Sequence, residues 1–173
     1  IDAAISAVPK IKLAGLSPQS IEFMERDIVD SSANYTGNKI IPTVIDGKEA
    51  GAYILVTLDG NDQDEIFQRA ETLAEIGDEI GAYDTLVLSH PADKRAVWEA
   101  RSAFLTVIEA ETDLIDEMDV VVPVDKIPTF LEYAHEIGDK YEVRIRSFGH
   151  AGDGNLHIYC CANDMDEAVF LER

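Results

Sequence analysis

The side chains best equipped for chemistry crowd into Val143 to Cys161, VRIRSFGHAGDGNLHIYCC. His150 and His157 are imidazoles, Arg144 and Arg146 are cations, and Tyr159 is a phenol. Paired imidazoles can ligate a transition metal or hydrogen-bond one substrate oxygen. The residues between them suggest how they meet. Asp153-Gly154 stands between two short alternating runs, a hairpin signal, because both central residues of a type I′ turn need positive φ. A tight turn centred there puts Gly152 opposite Asn155, Ala151 opposite Leu156 and His150 opposite His157. Directly opposed residues of an antiparallel pair carry Cβ atoms ~4.5–5.5 Å apart, so one metal ion or one substrate oxygen could meet both rings.

The strand period then sorts the faces. Val143, Ile145, Ile158 and Cys160 fall on a core side. Arg144, Arg146, Phe148, His150, His157 and Tyr159 fall on the other, the strongest site candidate in the chain. The plainer alternative is a tight turn whose two histidines stack on each other.

GHAGDGNLH, His150 included, resembles the signature of the C-terminal cap domain of FAD-linked 2-hydroxy-acid oxidases and dehydrogenases. That group includes glycolate oxidase and the D-lactate and D-2-hydroxyglutarate dehydrogenases. Leu16 to Arg26, LSPQSIEFMER, is similar to the opening of the same cap. The resemblance implies a ferredoxin-like fold, with His150 and His157 over the flavin, helping to hold a divalent metal beside the substrate. Imidazole ligands suit zinc, iron or manganese. Trp98 and Arg101, three apart and so on one helix face, resemble the family pair whose arginine meets the substrate carboxylate. The plain reading of that pair is a Trp packed under an Arg stem. The implied substrate-binding set is Arg101, His150, His157 and Asn155, with His150 and His157 as the metal ligands. The family's third metal ligand, a glutamate beside the expected catalytic base, lies in a Glu-His-Gly stretch that does not follow Cys161. Some relatives carry a lysine where this chain has Glu117.

At 173 residues, 46% of them hydrophobic, the chain can bury one core and is expected to be one domain. A formal net charge of −20 disfavours nucleic acid and anionic membranes as partners. The adjacent Cys160 and Cys161 point to opposite faces of a strand and cannot pair, which fits a reducing cytoplasm. No run approaches the ~20 apolar residues that span a bilayer. The chain begins at Ile1. Together with the resemblance, this gives the expectation of a truncated cap domain, residues 1–173, without its FAD-binding domain. Gly149 to Gly154 precedes no helix, so it fails the dinucleotide fingerprint on context.

The supporting elements follow from periodicity and punctuation. Ile1 to Leu13 suits an amphipathic helix, kinked or starting late because of Pro9. Ser17-Pro18 opens an extended piece, and Asp27 to Pro42 reads as a helix end and a loop. Gly51 to Leu58 reads as a buried central strand, Asp62 to Gly77 as a helix with an acidic first turn, and Thr85 to Ser89 as a short strand. A helix led by Ser89 or His90, with Pro91 in its first turn, runs to about Glu111. Asp119 to Val124 is a strand. Asp125 is expected to cap a helix over Lys126 to Lys140, on which His135 reads as a surface residue. A last turn of helix follows at EAVFLER.

This order predicts an α+β fold, an antiparallel sheet with helices packed mainly on one face. The expected function is oxidation of a 2-hydroxy acid such as glycolate or D-lactate to the 2-oxo acid by a larger flavoenzyme, of which this piece alone is inactive. FAD would be held mainly by the missing domain, and elements missing from the cap would leave an apolar patch that invites a homodimer. A second reading is a ferredoxin-like module that binds a small anion without catalysis. A third is a purely structural interaction domain. Ligand-dependent stabilisation without a flavin partner would favour the second reading.

Overall fold

The computed structural model describes residues 1–172. Its core is a five-stranded antiparallel sheet, order β4-β1-β6-β7-β5. The strands are β1 (Ser20–Glu25), β4 (Ala52–Thr57), β5 (Leu114–Val121), β6 (Arg144–His150) and β7 (Asn155–Ala162). A separate small hairpin joins β2 (Val44–Ile45) to β3 (Lys48–Glu49). The helices are α1 (Asp2–Leu13), α2 (Arg26–Thr36), α3 (Gln63–Glu79), α4 (Pro91–Ser102), α5 (Phe104–Glu111), α6 (Ile127–Tyr141) and α7 (Glu167–Glu172). The expected α+β architecture, an antiparallel sheet with helices packed on it, is what folds.

The helices divide between the faces of the sheet because its strands alternate apolar residues on both. Ile21 and Phe23 of β1, Ile145 of β6 and Ile158 of β7 bury against Ile5, Val8 and Ile11 of α1, Ile76 of α3 and Leu131 of α6. Met24, Phe148 and Tyr159 bury on the opposite side against Ile28 and Val29 of α2 and Phe104, Val107 and Ile108 of α5. The polar groups of β6 secure that second layer. Buried Arg146 donates to Glu111 at 3.0 Å and to Ser31 Oγ at 2.6 Å, and Arg144 pairs with Asp27 at 2.9 Å. These arginines therefore join helices to the sheet.

Several expectations are corrected. β4 is an edge strand, pairing with β1 on one side only, and every residue in it is half-buried. Thr85 to Ser89 forms no strand: Leu86 and Val87 are 53% and 54% exposed, with no strand beside them to complete a ladder. The helix expected to run unbroken to Glu111 stops at Ser102 and restarts at Phe104. Strand β5 begins at Leu114, earlier than Asp119. α1 begins at Asp2 and passes through Pro9, so it does not start late. Asp125 caps nothing, because a 3₁₀ turn, Val124–Lys126, precedes α6. Asp62 does cap α3, accepting from the backbone N–H of Asp64 and Glu65.

Candidate functional site

The hairpin of β6 and β7 forms, but not around a tight Asp-Gly turn. His150 pairs with Asn155, and Phe148 with His157. The loop is Ala151 to Gly154, closed by Asp153 N–H donating to the His150 carbonyl at 3.0 Å. Gly154 has φ +78°, whereas Asp153 is absent from the positive-φ residues, so the type I′ geometry is not met. Asp46-Gly47, between β2 and β3, has positive φ at both positions, 49° and 75°, and makes the tight turn instead.

The shifted register makes His150 and His157 diagonal neighbours on one face. Their ring centroids lie 5.8 Å apart, edge to face. The predicted meeting of the two imidazoles therefore holds, although by a different pairing. Rows of residues cross the sheet on this face. Glu22, His150, Asn155 and Val121 form one, and Met24, Phe148, His157 and Asp119 the next. Arg146, Tyr159 and Glu117 follow.

Helix α4 brings Arg101 to the first row. Its Nε and Nη2 donate to Glu22 Oε2 at 3.3 and 3.0 Å. Its guanidinium carbon lies 4.5 Å from the Phe148 ring centroid and 5.5 Å from that of Phe104, a cation–π arrangement. Glu22 Oε1 lies 2.7 Å from His150 Nδ1. Arg101 and His150 are thus joined through Glu22, whose side chain is 2% exposed. Trp98 is 39% exposed, and the rings that the Arg101 guanidinium lies over are those of Phe104 and Phe148. Glu22 was missed in the sequence. Its signal is a charged residue alternating with Ile21 and Phe23 in an apolar strand.

Asn155 donates through Nδ2 to Asp119 Oδ1 at 2.8 Å, and its own Oδ1 is buried without a partner. His157 Nδ1 is also buried without a hydrogen bond, 3.6 Å from Glu117 and 3.9 Å from Asp119. Glu117 accepts from the Tyr159 hydroxyl at 2.8 Å, and burial, followed by that bond, pushes the Tyr159 phenol well above its ordinary pKa. A cleft of about 400 Å³ opens beside the site, reaching Glu22, His150, Gly152 and Lys12 but not Arg101 or His157.

The metal expectation finds no support in this arrangement. Among the described residues no three or more His, Cys, Asp or Glu side chains are grouped to hold a metal ion. His150 spends Nδ1 on Glu22, and Glu117 is engaged with Tyr159. Nor does the loop suit FAD phosphates. Gly149 to Gly154 links two strands and leads into no helix. His135, expected as a bystander, instead lies 2.9 Å from the buried carboxylate of Glu25, away from this face's histidine pair. Among the described residues no helix is long and apolar enough to cross a membrane.

Comparison with known proteins agrees with the motif. The model for FAD linked oxidases, C-terminal domain, matches residues 1–170. A D-lactate dehydrogenase of Anaerostipes hadrus is 44% identical over 173 residues, all of this chain and 36% of that protein. The glycolate oxidase subunit GlcD of Bacillus subtilis is 29% identical over 176 residues, again all of this chain and 35% of that protein. An alkyldihydroxyacetonephosphate synthase structure, 14% identical, superposes with a TM-score of 0.56 over 98% of this chain and 36% of its own, a likeness of fold. The chain thus spans about a third of the length of these relatives. With a whole-chain match, the GHAGDGNLH hairpin and the fold in agreement, the chain belongs to the C-terminal domain family of FAD-linked oxidases.

Proposed function

We propose that this chain is the substrate-binding cap of a larger FAD-dependent enzyme that oxidises a small 2-hydroxy acid, glycolate, D-lactate or similar, to the 2-oxo acid. In that enzyme FAD supplies the redox chemistry from its own domain. This chain supplies binding and orientation. The observation that carries the reading is the joined pair of Arg101 and His150, with His157 beside it on one sheet face.

Arg101 presents its end-on donors to the substrate carboxylate, because Glu22 occupies only the Nε/Nη2 edge. The Phe148 ring, 4.5 Å from the guanidinium carbon, steadies the fork by a cation–π contact. His150 and His157 meet the substrate hydroxyl, and Asn155 joins them at the loop end of the same face. The base that takes the proton lies outside this chain. The similarity to the D-lactate dehydrogenase and the glycolate oxidase subunit supports this substrate class.

The test is flavin reduction in the complete enzyme. Under anaerobic conditions D-lactate or glycolate should bleach the bound FAD, and Arg101→Gln and His157→Asn should each slow or weaken that response. Absence of bleaching by any 2-hydroxy acid overturns the reading. The separate chain, incubated with FAD and desalted, should retain no flavin; retention would show that it holds the cofactor itself.

A further inference from the structure

We propose that Glu22 is a positioning residue for this site, fixing the hydrogen-bonding state of His150 and the placement of Arg101 with one carboxylate. The proposal rests on the substrate-binding role given above to Arg101 and His150. The sequence shows Glu22 only as a charge within an apolar strand. The fold places it 2% exposed between those two side chains.

Burying a carboxylate is costly unless its oxygens are satisfied. Here each oxygen serves a different partner, Oε1 the His150 ring and Oε2 the Arg101 fork. A carboxylate only accepts, so at 2.7 Å the hydrogen lies on His150 Nδ1. The other nitrogen, Nε2, is then left with a lone pair in the neutral ring. That is the form able to accept a hydrogen bond from a substrate hydroxyl, orienting it without taking its proton. Meanwhile Arg101 is held from one side by Glu22 and from below by Phe148, 4.5 Å from guanidinium carbon to ring centroid. The distance between the carboxylate-binding and hydroxyl-binding groups is thereby set by a residue that need not touch substrate. Strand pairing reinforces this, since Glu22 stands directly opposite His150 across β1 and β6.

The experiment uses the complete flavoenzyme with ¹⁵N-labelled histidine. In the wild type, neutral His150 should show a protonated Nδ1 and a bare Nε2. The reverse tautomer overturns the proposal without any variant. Glu22→Gln replaces one acceptor oxygen by an amide, so the His150 signature should change. KM for the 2-hydroxy acid should rise about ten- to a hundredfold, with kcat less affected. Glu22→Asp keeps the charge but is too short to serve both partners, and its KM should fall between the two. If Glu22→Gln does not fold, the wild-type tautomer and Glu22→Asp decide. Arg101→Gln and His150→Asn separate the two readings. If neither raises KM, the substrate-binding role fails. If both do while the Glu22 variants keep wild-type KM and tautomer, the role of Glu22 fails.

Discussion

The guanidinium carbon of Arg101 lies 4.5 Å from the ring centroid of Phe148, while its Nη2 donates to Glu22 at 3.0 Å. A planar fork can meet the ring, Glu22 and a further carboxylate at once, which the point charge of an ammonium does not reproduce, so Arg101→Lys is not a conservative change here. On the substrate-binding role proposed above, it should raise KM for a 2-hydroxy acid in the complete enzyme by an amount equivalent to about 1.5–3 kcal/mol. Steady-state kinetics across a substrate range checks this; an unchanged KM would remove Arg101 from the site.

His135 and Glu25 predict a pH-dependent stability. The hydrogen bond to Glu25 raises the His135 pKa above its ordinary value of 6.5, against a smaller opposing effect of burial. The pair's contribution is therefore complete below about pH 6.5 and is lost as pH rises through the higher folded value. The amplitude is small, because the His135 side chain is 40% exposed and solvent screens it. Denaturant midpoints measured from pH 6 upward should show this loss, and His135→Asn should remove it from the profile.

The hairpin loop separates two glycines that look equivalent in the sequence. Gly154 has φ +78°, and a Cβ there would collide with the Val122 carbonyl oxygen. A Cβ on Gly152 would meet Ile21 at an ordinary 3.6 Å. Gly154→Ala should therefore destabilise by about 1–3 kcal/mol or more, through overpacking and strain. Gly152→Ala should stay within about 0.5 kcal/mol of wild type. Equilibrium unfolding of both variants decides, and equal effects would show that the loop rearranges.

Phe104 is fully buried and meets Phe148 edge to face at 5.3 Å between centroids. Phe104→Ala should cost about 3–5 kcal/mol. Because Phe148 also supports Arg101, the same substitution should raise KM in whatever fraction remains folded. Thermal melts with parallel kinetics test both effects, and a stable variant of unaltered KM would disconnect this aromatic pair from the site.

Much of this was readable from alternation. The core and site faces of β6 and β7 follow from Ile145, Ile158 and Phe148, His157, whichever turn joins them. Register was not, because Asp-Gly is only a preference. Gly152 N–H is taken by the Ile21 carbonyl of β1, at 3.2 Å, a contact far away in sequence that competes with a tight turn. The Asp-Gly pair at 46–47, with positive φ at both residues, does make one. Strand β4 read as central because YILV is apolar, but sheet position depends on which strands arrive later. Thr85 to Leu88 has strand-forming side chains and no neighbouring strand. Arg101 and His150 were singled out from motifs, and the fold joins them through Glu22, which became visible only once it stood between them.

The pairing of β1 with β6 has a consequence for the order in which the molecule assembles. Glu22 and His150 are 128 positions apart, yet they stand opposite each other in the middle of the sheet. β1 can pair early with β4, which is close in the chain, but its other edge must wait for β6. Closing so long a loop delays folding. The face is therefore completed only when β6 and β7 arrive, and a nascent chain stalled before β6 presents an open strand edge that chaperones or other copies can occupy.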